Sequence, residues 1–236
     1  MPDSHADSSS TTPTSTTPTS GVVFLTGPNA SGKGTVAQRL LTEGMVRHHV
    51  SMGQLLRDVA QEASNTPDQK QVLDCLLGSP DATSHLEHCL RNRLLIPDAW
   101  TEALIELYLK NHPELHTSVW LLDGYPRRLE AAKHLMALLD ELNIPLLHVL
   151  HLRVPEAEVL RRSLLRKRED DNKETIRSRY RIYEQEILPV VEHLEALLGT
   201  HQVSHIDAST DTGQTNSREI IYQRVKYTLS SAGLTS

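Results

Sequence analysis

The sequence lacks what several classes of protein require. No apolar run in its 236 residues approaches the length that spans a bilayer, so a membrane role is not expected. Two cysteines, Cys75 and Cys89, are too few for a disulfide framework and suit a reducing compartment as free thiols. Lys and Arg (24) are outnumbered by Asp and Glu (30), and a net charge of −6 argues against generic nucleic-acid binding. Residues 1–20 are almost entirely Ser, Thr, Pro and Asp, with nothing apolar to offset the entropy of ordering them. They hold neither the apolar core of a secretion signal nor the arginines of an organelle-targeting peptide, so a disordered cytoplasmic tail or linker is expected. A monomer is expected as well.

What is present is a rhythm of short apolar stretches and longer helical patterns. Strands are expected at residues 22–26, 47–51, 118–123, 146–154 and 203–207, with helices between them. That alternation predicts an α/β fold, a five-stranded parallel sheet covered on both faces, over residues 21–236. Leu129, Ala132, Leu135, Leu139 and Leu142 mark one helix, and Ile176, Tyr180, Tyr183, Ile187, Val191, Leu194 and Leu198 mark a longer one. The longer helix is expected to start at a capping box of Asp171 and Glu174 and to kink at Pro189. Residues 62–93 break the rhythm and read as two or three short helices interrupted at Thr66-Pro67 and Gly78-Ser-Pro80. Asp98 is placed to cap the helix that follows. No internal repeat is visible.

Directly behind the first strand stands Gly27-Pro28-Asn29-Ala30-Ser31-Gly32-Lys33-Gly34-Thr35, and a helical pattern follows it. A strand that ends in a glycine-rich turn and opens a helix points backbone N–H groups and the positive helix end at one spot, which suits a phosphate. Lys33 supplies an ammonium for the outer phosphates. Gly34 occupies the usual hydroxyl position, and the hydroxyl comes one residue later, at Thr35.

Asp123 ends the third strand, where a carboxylate beside a phosphate loop can hold magnesium through water. Gly124-Tyr125-Pro126-Arg127 follow at once. Nine of the 24 basic residues fall between Arg161 and Arg181. Arg162 and Arg166 share a helix face, and a bend at residues 169–171 would turn Arg168 and Arg179 toward the same anion. The alternative for such a run is a solvated helix face. His85, His88, Cys89 and Cys75 could gather a zinc ion, against solvent-facing histidines and a packed thiol. His148 and His151 point to opposite faces of the fourth strand and look structural.

Together these segments resemble the adenylate kinase family of nucleoside monophosphate kinases. The blocks are Gly27 to Thr35, Ser51-Met52-Gly53-Gln54-Leu55-Leu56-Arg57, Leu95-Ile96-Pro97-Asp98, Asp123 to Arg127, and Arg168 to Thr175 with Arg179. The resemblance implies a P-loop kinase fold with an acceptor-binding helical insertion at residues 52–97 and a very short lid at 166–168, too short to bind zinc. It implies transfer of the γ-phosphoryl group of magnesium-bound ATP to a nucleoside monophosphate. ATP would be held by Asn29, Ala30, Ser31, Gly32, Lys33, Gly34, Thr35, Arg162 and Arg166. The acceptor would be held by Met52, Arg57, Ile96, Gly124, Tyr125, Pro126, Arg127, Ala131, Arg168 and Arg179. Lys33, Arg127, Arg166, Arg168 and Arg179 would carry catalysis.

Several residues depart from the family pattern. Asn29 and Ala30 stand where it has Pro-Gly, Met52 where it has Thr, Arg93 where it has Gly, and Ala131 where it carries a base-reading glutamine. AMP is the acceptor the family implies. The alternatives are UMP, CMP or a broader set, or a catalytically silent nucleotide-binding protein of the same fold.

Overall fold

The computed structural model describes residues 20–63, 67–92, 94–166, 172–209 and 217–234. Five strands, β1 (Gly21–Thr26), β2 (His48–Ser51), β3 (Val119–Asp123), β4 (Leu146–Arg153) and β5 (Val203–Asp207), form one sheet in the order β2-β3-β1-β4-β5. Every pairing is parallel. The expected five-stranded α/β fold is therefore present, with strand boundaries within one residue of those read from the sequence.

Side chains alternate across the sheet and build two cores. Val22 and Phe24 face one side with Trp120 and Leu122, while Val23 and Leu25 face the other with Leu121. The second side is covered by α1 (Lys33–Thr42), α7 (Glu156–Arg166), α8 (Lys173–Ile182) and α10 (Ser217–Ser231). The first side carries α2 (Met52–Ala63), α3 (Pro67–Leu76), α4 (Ala82–Asn92), α5 (Asp98–Asn111), α6 (Leu129–Glu141) and α9 (Leu188–Leu198). None of the helices among the described residues is long and apolar enough to cross a membrane.

The break in rhythm after β2 is the helical trio α2 to α4. Its buried residues Leu56, Ala60, Leu73 and Leu86 belong to the same core as the sheet. Asp74 ties the trio together, its Oδ1 accepting from the Thr83 amide (2.7 Å) and hydroxyl (2.8 Å) at the start of α4.

Three local expectations are corrected. Pro97 precedes α5 and Asp98 is its first residue, so the Asp98 carboxylate does not cap the helix and is bonded to Arg128 instead. The cap of α8 is Asn172, whose side chain accepts from the Thr175 amide at 2.8 Å. Asp171, placed in that cap by the sequence, lies outside the described residues. The chain does not simply kink at Pro189: residues Tyr183–Ile187 form a π turn between α8 and α9. The Leu188 amide donates to the Tyr183 carbonyl five residues back, and the wider turn makes room for a proline ring that cannot follow an ordinary helical turn.

Candidate active site

The loop between β1 and α1 is shaped by backbone constraints at both ends. At Gly27 (φ +144°) a Cβ would lie 2.5 Å from the Leu152 carbonyl oxygen, so only glycine passes there. Gly32 (φ +97°) turns the chain into α1 and offers no side-chain cap; the Thr35 and Val36 amides donate to its carbonyl oxygen (3.0 Å each), which leaves the Lys33 and Gly34 amides to a ligand. Lys33 folds back over the loop and donates to the carbonyl oxygens of Gly27 (2.8 Å) and Pro28 (2.9 Å). Burial pushes its ammonium down to about 8; Asp123 opposes the shift, and Arg127 and Arg166 add to it. The Ser31 hydroxyl is buried with no hydrogen-bond partner among the described residues.

Asp123 pairs with Leu25 on one side and Ser51 on the other, which sets it beside the loop. Its Oδ1 is buried and unpartnered among the described residues, and its Oδ2 lies 3.8 Å from His49 Nε2. A buried carboxylate oxygen without a donor, next to a phosphate loop, fits a magnesium ion held through water.

These groups border a cavity of about 550 Å³, a size that suits nucleotide ligands. Lys33, Asp123, Arg57, Arg127, Arg166 and Arg179 all reach its wall, so the structure brings together residues from four of the sequence blocks with Arg166 from the end of α7. Arg127 faces the water of the cleft but is ringed by protein: its Nε donates to the Gly124 carbonyl oxygen at 3.0 Å, and desolvation lowers its pKa while Asp123 raises it. Arg57 projects from α2 and donates to Gln54 Oε1 at 2.7 Å.

Asn29, Met52, Ile96, Gly124, Tyr125 and Pro126 also line the cavity. Ala30, Ser31, Gly32, Gly34 and Thr35 form the loop and first helical turn beside it. Arg162 does not reach the cavity. It lies behind the loop, donating to the carbonyl oxygens of Ala208 (2.7 Å) and Ala30 (3.4 Å) and to Glu158 (2.6 Å). Ala131, expected at the acceptor base, is 1% exposed and packed into the core, because that face of α6 lies on the sheet. Arg93 and Arg168 lie outside the described residues. No group of three metal-ligating side chains occurs among the described residues; His85 packs edge-on to Trp100, Cys89 is buried and Cys75 exposed.

Sequence reasoning missed His49, Asp98 as a cavity residue, and Arg128, which lines the cavity beside Arg127. Nothing in the sequence signals that the second of two adjacent arginines reaches the cavity as well as the first. His151 and His148 are buried and structural, on opposite sheet faces as read.

Comparison with known proteins agrees with this geometry. The sequence profile of the family described as adenylate kinase matches residues 25–198. The chain is 34% identical over 174 residues to the adenylate kinase of Synechococcus sp. (strain RCC307), covering 73% of this chain and 84% of that protein. It is 36% identical over 173 residues to that of Parasynechococcus marenigrum (strain WH8102), with coverage of 73% and 82%. To the adenylate kinase of Nocardia farcinica (strain IFM 10152) it is 31% identical over 199 residues, with coverage of 84% and 96%. A chain that carries the phosphate loop, the Asp123 to Arg127 block and the distal arginines in one cleft, and matches these proteins over most of its length, belongs to the adenylate kinase family.

Proposed function

We propose that the protein is an ATP:AMP phosphotransferase, forming two ADP from ATP and AMP in a reversible reaction. The observation that carries this reading is the convergence of Lys33, Arg127, Arg166 and Arg179 with the unpartnered Asp123 oxygen on one cavity. An attacking phosphate oxygen is already ionised, so the transfer needs position and charge stabilisation rather than a strong base.

The phosphate loop, Lys33 and Thr35 hold the donor phosphates. Arg57 grips the acceptor phosphate, and Arg127 lies between acceptor and transferred group. Arg166, Arg168 and Arg179 neutralise charge as water leaves the cleft. Asp123 would hold the magnesium ion, which when bound would supply charge neutralisation on the polyphosphate. Arg162 fixes the far side of the loop, consistent with a place near the donor nucleoside. Residues 52–97 serve as the acceptor subdomain and 166–168 as a minimal lid, in a monomeric cytoplasmic enzyme that needs neither nucleic acid nor membrane.

A coupled assay with ATP, magnesium and a panel of AMP, CMP, UMP and GMP tests the reading. ADP formation from AMP is expected. Absence of a diphosphate product from every acceptor would overturn the assignment, and preference for CMP or UMP would move the substrate.

A further inference from the structure

The acceptor half of the cavity must distinguish bases, and the two positions expected to do so are apolar and buried. Met52 is 3% exposed and Ala131 is 1% exposed. Apolar walls sandwich a planar ring, but hydrogen-bonding groups are what reject the wrong one. Besides the arginines assigned to phosphate, the polar side chains lining the cavity include Asp98, Thr101, Tyr125 and Arg128. Thr101 donates to the Asp98 carbonyl oxygen at 2.9 Å, and the buried Tyr125 hydroxyl makes no well-formed hydrogen bond, with Thr101 standing by it only loosely.

Arg128 is the residue these surroundings organise. Its Nη1 donates to Asp98 Oδ1 at 3.2 Å, and its Nε lies 3.5 Å from Glu186 Oε2. The two acids come from α5 and from the π turn, so the guanidinium is held by two elements that are separate in sequence. About a third of both Arg128 and Asp98 stays exposed, and Nη2 has no partner among the described residues. A clamped guanidinium forfeits little rotamer entropy when it binds.

We propose that Arg128, paired with Asp98, reads the acceptor base in this protein. A guanidinium offers only donors and a carboxylate only acceptors, so side by side they supply the complement that a single amide would. Adenine meets that pair with N1 as acceptor and its 6-amino group as donor. Cytosine has the same order at N3 and its 4-amino group. Guanine and uracil reverse it, setting a carbonyl against the Asp98 carboxylate and an N–H against the guanidinium, which leaves polar groups unpaired. The pair thus favours AMP first and tolerates CMP, while GMP and UMP are rejected. This inference rests on the reading of that half-cavity as the acceptor site and deepens it.

The test is equilibrium binding to the full chain, by calorimetry, of AMP, CMP, UMP, GMP and ribose 5-phosphate. The wild type is expected to bind AMP and CMP at least about tenfold more tightly than UMP and GMP. Arg128→Ala should erase that ratio by weakening AMP and CMP, while ribose 5-phosphate and ATP stay within about twofold. Arg128→Lys keeps the charge and loses the planar fork, so it should also shrink the ratio, and it carries the test alone if the alanine variant does not fold. The proposal is overturned if the wild type binds no monophosphate or does not distinguish the bases. It is equally overturned if the variants leave the ratio intact, or weaken ribose 5-phosphate as much as AMP. Turnover is measured separately: a wild type that binds with the expected ratios yet forms no ADP refutes phosphotransfer and leaves Arg128 as the base reader.

Discussion

The ammonium of Lys33 lies 2.8 Å from the carbonyl oxygen of Gly27, the residue that opens its own loop. In the free protein, backbone carbonyls therefore hold the charge that donor phosphates would otherwise meet. The lowered pKa, about 8 in place of 10.5, shows that the folded state carries this charge at a cost. Below pH 8 that cost is fully present, and stability rises with pH between about 8 and 10.5 as the unfolded chain holds the proton more tightly. Lys33→Met should then melt higher than wild type at pH 7 while losing about 10²-fold or more in turnover. A lower melting temperature, or near-normal turnover, would contradict this account.

Arg127→Ala should lower kcat by about 10²–10³-fold with the fold retained. Its Nε hydrogen bond to Gly124 is local, and desolvation depresses its pKa, so its removal relieves a strained charge rather than a structural one. Steady-state kinetics beside a thermal melt check the pair of outcomes.

Ala30 is held at φ +60°, in the left-handed region that a Cβ disfavours. The family pattern has glycine there, and the backbone explains why. Ala30→Gly should raise stability by about 0.5–1 kcal/mol, the strain relieved less the added freedom of the unfolded chain. Urea denaturation measures it, and a loss of stability would refute the strain.

His151 gives the protein an acid-sensitive point. Its Nε2 meets the Tyr183 hydroxyl at 2.7 Å and its Nδ1 meets His205 Nδ1 at 2.9 Å, while His205 Nε2 lies 3.2 Å from Glu195. Burial, reinforced by His205, Arg153 and Lys33, pushes His151 down to about 4 from 6.5. The unfolded chain binds the extra proton first, so stability is complete above about pH 6.5, falls as pH drops and levels off below about 4. Between pH 7 and 5 the loss should be about 2 kcal/mol more in wild type than in His151→Gln. Parallel denaturation curves for the two proteins across that range would refute it.

Much of this was legible because the relevant signals are local. A buried strand, a glycine at an impossible Cβ position and a lysine behind it lie within a dozen residues, and so do Asp123 and Arg127. What was not legible depends on partners distant in sequence. Asp98 has the composition of a helix cap, but Arg128, thirty residues on, takes its carboxylate. Ala131 and Arg128 are three residues apart at the start of α6, and only packing against the sheet decides that the first is buried and the second faces the cleft. The π turn was hidden because hydrophobic spacing of three and four tolerates one additional residue without losing its stripe.

That additional residue sets a rotational phase. In an α-helix each residue advances by about 100°, so a one-residue insertion turns everything before it by that angle relative to everything after. Because of the turn at Tyr183–Ile187, α9 can press Val190, Val191 and Leu194 into the core while α8 holds Arg179 in the cleft and Ile176 against the opposite sheet face. The helix acts as a splined shaft whose two ends are keyed differently, so a single deletion there would leave the core seated and swing Arg179 off the cavity wall.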